Sequence, residues 1–322
     1  MLESRFLFFT LLLTFGLIIL GGFVHNTESS LACPDWPWCT ALCYGKTLPE
    51  SERSVGIERR HQIEITHRIW ASLVGMCTVC FFLMLLLRKR FQPKIILFGF
   101  IAILLVLFQG GLGALTVKLQ LPTLVSTAHL AIAQLFFAFL IGLFFLITFR
   151  SSPQPNPSIP SAFLSLLLGA TVLLFYLQLL LGAYMRHSGS GLAAGAGPDA
   201  AIRGIDLNSG TPSFWPSSAP AKLNMLHRYL ALVLTGIVFW LGILLWKFGT
   251  HYPPARIYSM ALILSVLAQV LLGILSIWYF LHITLITLHL AVGTLCFGLS
   301  VSAWMQFRFL RTPWNYHKNV SL

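Results

Sequence analysis

Eight apolar runs, each long enough to cross a lipid bilayer, occur in a chain of 322 residues. They fall at roughly 6–24, 66–87, 95–117, 124–148, 162–185, 223–246, 257–280 and 283–306. A helix needs about 20 apolar residues to span the hydrocarbon core, and a spanning segment must satisfy its own backbone hydrogen bonds. The runs are continuous rather than alternating, so the sequence predicts an all-α integral membrane protein with eight transmembrane helices. With 57% hydrophobic and only 9% charged residues, the chain cannot cover a water-facing globule. The first run follows "MLESR", and its end "LGGFVHNTESS" lacks a small-x-small cleavage site. It reads as a retained helix rather than a signal peptide.

A net charge of +12 raises nucleic acid as a partner. The placement of the charge argues against it, because the basic residues sit in short clusters between apolar runs and act as topology signals. One side carries Arg5, the cluster "RKRFQPK" (88–94), Arg150, Lys247, Arg256, Arg308, Arg311 and Lys318. These short, basic segments favour the cytoplasmic side, so both termini are expected there, in a cell membrane. The opposite side holds Cys33, Cys39 and Cys43 in a long loop, in a compartment that permits disulfides. Cys77, Cys80 and Cys296 fall within spans and read as small packing residues.

The chain repeats itself. "THRIWASLVG" resembles "LHRYLALVLTG", "QGGLGALTV" resembles "QVLLGILSI", and "STAHLAIA" resembles "ITLHLAVG", all at an offset of 160 residues. "GGFVHNTESSLAC" resembles "GAYMRHSGSGLAA" at an offset of 161. Two four-helix halves are therefore expected, 1–150 and 162–322, joined by an inner Ser/Pro-rich linker at 151–161. Each half has an even number of spans, so the halves share one orientation and relate by a pseudo-two-fold axis along the membrane normal.

Of ten histidines, the repeat selects four: His67 matches His227, and His129 matches His289. They lie on the second, fourth, sixth and eighth spans, which run in one direction, at similar depth in the outer half of the membrane. A single intramembrane histidine is ordinarily a hydrogen-bonded packing residue. Two per bundle at duplicated positions form the arrangement that clamps a haem iron axially. Zinc or copper usually recruits further Cys, His or carboxylate ligands, which these bundles offer sparsely. The Gly-rich third and seventh spans leave room for a flat macrocycle. His282 is the competitor to His289, but its repeat counterpart is Pro122. His25 and His187 read as loop or helix-end residues, and His61, His251 and His317 as solvated. Arg68 and Arg228 follow His67 and His227 and are either partners of haem propionates or arginines that reach to the headgroups.

The two halves also differ. Glu64 stands three residues before His67, on the same helical face, where its rough counterpart is Leu223 or Asn224. A carboxyl there can move protons beside a bound substrate, or pair with Arg68. The loop "CPDWPWCTALC" has no cysteine-bearing counterpart in 186–221. Its three cysteines leave one over, so a structural staple and a redox role both stand open. This division points to an embedded haem in the C-terminal half and a reacting molecule in the N-terminal half.

Together "NTESSLACPDWPWC", "EITHR", "QGGLGALTV", "STAHL", "GAYMRHSGSGL", "LHRYLA" and "LHLAVG" resemble the haem A synthase family over nearly the whole chain. The resemblance implies an oxidoreductase that converts the C8 methyl of haem O to the formyl of haem A by two successive hydroxylations. It implies His227 and His289 as axial ligands of a resident haem B, and His67 and His129 as ligands of the haem O substrate. It further implies Glu64 as the catalytic acid and Cys33 with Cys39 as a disulfide pair. The chain departs from many members in lacking a second cysteine pair after the fifth span, and in carrying Cys43. A haem O synthase is the partner that an insoluble substrate calls for, and a homo-oligomer is compatible with the chain. The competing reading from another class is a di-haem b-type membrane cytochrome exchanging electrons with a quinone. A haem-binding assembly factor is a third.

Overall fold

Every apolar run becomes a helix, and most helices outrun the apolar stretch that announced them. A computed structural model of the protein describes residues 2–33, 55–88, 91–149, 161–206 and 208–311. The eight long helices are α1 (Leu2–Asn26), α2 (Val55–Leu87), α3 (Pro93–Lys118), α4 (Thr123–Phe149), α5 (Ala162–His187), α6 (Ala219–Phe248), α7 (Pro254–Trp278) and α8 (Ile283–Arg311). All eight are long and apolar enough to cross a membrane.

Local chemistry sets the ends. Proline opens α3, α6 and α7, where its missing N–H costs nothing. Ser161 caps α5 by accepting from the Leu164 N–H at 3.1 Å, and Ser218 caps α6 by accepting from the Ala221 N–H at 3.4 Å. The turn from α3 to α4 places Gln120 and Leu121 at φ 57° and 61°, and the turn from α7 to α8 places Phe280 and Leu281 at φ 53° and 58°. Both turns close the same way. The Leu121 N–H donates to the Thr116 carbonyl at 2.8 Å, and the Leu281 N–H donates to the Ser276 carbonyl at 2.7 Å. These are helix-ending bonds that satisfy a last-turn carbonyl.

Two closed rings of neighbours result. α1 packs on α2, α2 on α3, α3 on α4 and α4 back on α1; α5 through α8 repeat the cycle. The rings meet where α1 and α4 touch α8, and where α4 touches α5. At that junction Gln134 donates to Thr294 Oγ1 at 2.8 Å, both residues fully buried. One apolar core fills the N-terminal ring around Phe81, Phe136 and Leu140, and a larger one fills the C-terminal ring and the junction. Many large apolar side chains remain exposed on the outer faces, as a lipid-facing surface requires.

Between α5 and α6 the chain forms a cap over the C-terminal ring. It contains a turn of 3-10 helix (Ser190–Leu192), a short helix (Pro198–Ile202), and β1 (Ile205–Asp206) paired antiparallel with β2 (Thr211–Pro212). The Gly197 N–H donates to the Ile277 carbonyl of α7 at 3.1 Å. Asp206 anchors the hairpin by accepting from the N–H groups of Ser217 at 2.8 Å and Asn208 at 3.0 Å. Those two donors, Ser217 first, hold its carboxyl below the usual carboxylate range.

Candidate functional site

The four repeated histidines sit on α2, α4, α6 and α8, and each ring lies against a glycine of the preceding helix in its ring of neighbours. His67 faces Gly21 of α1, His129 faces Gly113 of α3, His227 faces Gly182 of α5 and His289 faces Gly273 of α7. A Cβ at those glycines would stand 3.1, 3.1, 3.0 and 3.1 Å from the imidazole Cε1. Only glycine lets the flat ring approach its neighbouring helix so closely.

Three of the rings also meet a glutamine. Gln109 Nε2 donates to the His129 backbone carbonyl at 2.9 Å and lies 3.4 Å from the ring Nε2. Gln178 repeats this on His227 at 2.9 and 3.4 Å. Gln269 Nε2 lies 3.2 Å from His289 Nε2.

His227 and His289 face one another with ring centres 6.5 Å apart and planes inclined at 67°. His67 and His129 lie within electrostatic range of each other in the N-terminal ring. Two imidazoles bound at about 2 Å to one metal put their ring centres roughly 6 Å apart, so the C-terminal pair fits a single iron between them. All four Nδ1 atoms are buried without a hydrogen-bond partner, although each histidine as a whole is only half-buried. Among the described residues no cluster of three or more His, Cys, Asp or Glu side chains offers a metal its full ligand set. Two imidazoles per site match a haem, whose macrocycle brings the other four nitrogens.

Glu64 is 3% exposed, although the apolar pattern placed it at the mouth of a span. The reason is that α2 begins at Val55, because the helix-favouring polar stretch "ERRHQIE" extends it outward. His67 therefore lies well inside the helix rather than at its start, and His227 is likewise shifted inward by the beginning of α6 at Ala219. The Glu64 carboxylate accepts from the Cys33 N–H at 2.7 Å and from Arg68, one turn on. Arg68 also donates to the Cys33 carbonyl at 2.8 Å.

The C-terminal half builds the same clamp with an amide. Asn224 Oδ1 accepts from Arg228 Nε at 2.8 Å, and its Nδ2 donates to the carbonyls of Ser190 and Gly191 at 3.1 and 2.8 Å. Arg228 also donates to the Ala200 carbonyl, while its Nη2 is buried without a partner. The carboxylate thus faces a backbone N–H where the amide faces backbone carbonyls.

His25 and His187 end α1 and α5, and their rings meet edge to face at 4.3 Å across the junction of the halves. Their contact has no register in the repeat, since they stand 162 residues apart, so periodicity missed it. His282, the competitor to His289, is exposed in the turn just before α8, where Phe280 and Leu281 take positive φ. Cys77, Cys80 and Cys296 carry free thiols within helices. Cys33 is buried against the Glu64 clamp; Cys39 and Cys43 lie outside the described residues. The glutamines around the histidines were missed as site residues, and the glycines of the third and seventh spans, expected to leave room for a macrocycle, lie against the imidazoles. Their shared spacing, a glutamine four residues before a glycine, was the available signal.

A family model described as "Cytochrome oxidase assembly protein", COX15-CtaA, matches residues 4–301. Curated relatives include "Heme A synthase" of Exiguobacterium sibiricum, 29% identical over 79% of this chain and 74% of the relative. "Heme A synthase" of Shewanella oneidensis is 26% identical over 88% of this chain and 87% of the relative. "Heme A synthase" of Wolbachia pipientis wMel is 25% identical over 88% and 86%. With the match running through all eight helices and all four histidines, the chain belongs to the COX15-CtaA family of cytochrome oxidase assembly proteins.

Proposed function

We propose that the protein is a membrane oxidoreductase that converts the C8 methyl group of haem O to the formyl group of haem A. The observation that carries this reading is the facing pair His227 and His289, with ring centres 6.5 Å apart, in a chain whose curated relatives bear the name "Heme A synthase". In this reading haem O is the substrate, oriented by His67 and His129. Haem B is the resident cofactor between His227 and His289, and when bound it supplies a one-electron carrier.

The chain contributes orientation and electrostatics. His67 and His129 would hold the macrocycle so that one methyl edge is presented repeatedly in the same place. Each of two successive hydroxylations replaces a C–H bond of that carbon with C–OH, the oxygen coming from water while two electrons and two protons leave to an external acceptor; the resulting geminal diol loses water to leave the formyl group. Glu64, one turn before His67, stabilises positive character at the methyl carbon or takes its proton. Arg228, with Nη2 buried and unpartnered, is the propionate partner in the C-terminal site, and Arg68 takes the corresponding place in the N-terminal one.

Further parts of the reading have their own support. The two halves, 1–150 and 162–322 about the linker 151–161, derive from one duplicated four-helix unit. The repeated helix adjacencies, the paired turns at Leu121 and Leu281, and the Gln134–Thr294 bond across 160 residues all support this. Cys33 and Cys39 form a disulfide in the outer loop, supported by the burial of Cys33 against Glu64. Both termini face the cytoplasm, supported by the basic short loops. A haem O synthase is the supplying partner.

One observation favours the di-haem cytochrome as second reading. Asn224 and Arg228 reproduce the Glu64–Arg68 clamp, as a purely structural use of the acid would predict. Supplying haem O to membranes that contain the protein, then extracting and separating the pigments, decides between the two. Haem A or a hydroxymethyl intermediate supports the synthase; unchanged haem O contradicts it.

A further inference from the structure

Three helices present a glutamine and, four residues on, a glycine to a repeated histidine: Gln109 and Gly113 to His129, Gln178 and Gly182 to His227, Gln269 and Gly273 to His289. The fourth keeps only the glycine. Gly21 faces His67, and four residues before it stands Leu17, packed into the N-terminal core.

The amide does what leucine cannot. At His129 and His227 its N–H ties the neighbouring helix to the carbonyl of the residue that carries the imidazole, and in all three units it lies beside the ring Nε2. Each glutamine leaves its Oε1 buried without a partner, a cost in an apolar bundle that packing alone does not require. Polar side chains often join membrane helices. That use alone does not account for the pattern, because α1 and α2 are joined by the Trp70 indole bonding Leu13, away from the His67 ring, whereas all three amides stand beside a ring Nε2.

We propose that Gln109, Gln178 and Gln269 are positioning residues that restrain three of the four imidazoles, and that Leu17 leaves His67 as the axial ligand that releases to let a tetrapyrrole in or out. The inference rests on the function proposed above. A site that exchanges substrate for product must open an axial bond in every cycle, and a site that keeps its cofactor must not. The three imidazoles with an amide beside them and the one without divide in that way; His227 is tied through its backbone carbonyl, and His289, which Gln269 meets only at the ring Nε2, is the less firmly held of the C-terminal pair.

Carbon monoxide binds ferrous haem only at an open axial position, so its binding rate reads how readily an imidazole releases. The test uses the full chain in detergent, loaded with haemin at both sites and reduced. Wild type should show one fast and one slow phase, and His67→Ala should turn the fast phase into immediate binding while leaving the slow one. Leu17→Gln should slow the fast phase by about tenfold, the scale of one hydrogen bond, and Gln178→Met should speed the slow phase similarly. Gln178→Met should also change the low-spin electron paramagnetic resonance signal, which follows the angle between imidazole planes and is unmoved by general loosening of the bundle. If Leu17→Gln fails to assemble, Gln109→Met serves instead and should quicken the fast phase by opening a second release route. A haem-loaded protein whose rates ignore these substitutions, or whose fast phase belongs to the C-terminal pair, overturns the proposal alone. A chain that takes up no haemin overturns the functional reading itself.

Discussion

Glu64 and Cys33 are one mechanical unit, because the carboxylate accepts from the Cys33 N–H at 2.7 Å while Arg68 spans both residues. Glu64→Gln keeps the shape and the bond to Cys33 but removes the charge. Both haems should remain by absorption spectrum while haem A formation falls by about a hundredfold, the usual scale for a general acid–base group. Activity near wild type would show that the acid only clamps the loop. Reducing the outer-loop cysteines should lower activity before it lowers the melting temperature, since the loop holds Glu64 rather than the helices. The glycines provide a second residue-scale check. Gly273→Ala pushes a Cβ to 3.1 Å from the His289 ring and should distort or abolish the low-spin spectrum of the C-terminal haem. Gly75→Ala, with nothing within 4 Å, should leave the spectrum unchanged. At this scale the four histidines that lie against glycines were legible in the sequence because the 160-residue repeat marks them. Their supports were not, because a glutamine or glycine in a membrane helix has many uses and only distance to the ring identifies this one.

The helices themselves were plain in the sequence, since lipid allows an apolar run little else. Their ends were not. Apolarity says where lipid stops, whereas a helix continues until its backbone bonds are capped, and so α2 reaches back to Val55 and carries Glu64 and His67 inward. The turns after α3 and α7 were also hidden, because no glycine marks them; Leu121 and Leu281 adopt positive φ instead. Left-handed backbone costs a non-glycine residue about 1 kcal/mol. Gln120→Gly, at an exposed side chain with φ 57°, should therefore leave thermal stability unchanged or raise it by a few degrees, where a glycine in mid-helix would lower it. The α5–α6 cap has its own test in Asp206. Its lowered folded pKa means that its contribution is present above the ordinary aspartate range and is lost as pH falls through the lower folded value. Asp206→Asn should remove that acid transition from cap proteolysis measured against pH.

Across the whole molecule, repeated sequence predicted two similar halves, and the two closed rings of helices follow the same order. What the repeat could not show is how the halves join. Gln134 and Thr294, 160 residues apart and so in register with the sequence repeat, bond to each other where the two rings of helices meet. A double-mutant cycle with Gln134→Leu and Thr294→Val should return a coupling of about 1 kcal/mol. His25 and His187 meet at the same junction, outside the register of the repeat. In the function proposed above, this arrangement serves two pairs of imidazoles, one in each ring of helices, of which His227 and His289 stand 6.5 Å apart.

The most direct measurement is the haem content of the purified full-length chain and its four single histidine-to-alanine variants, read by pigment extraction and low-spin spectra. The wild-type chain should carry haem B together with haem O or haem A. His227→Ala and His289→Ala should each lose the haem B spectrum with the fold intact, while His67→Ala and His129→Ala keep it. A colourless wild-type chain, or variants whose pigments match wild type, would contradict the paired-imidazole site.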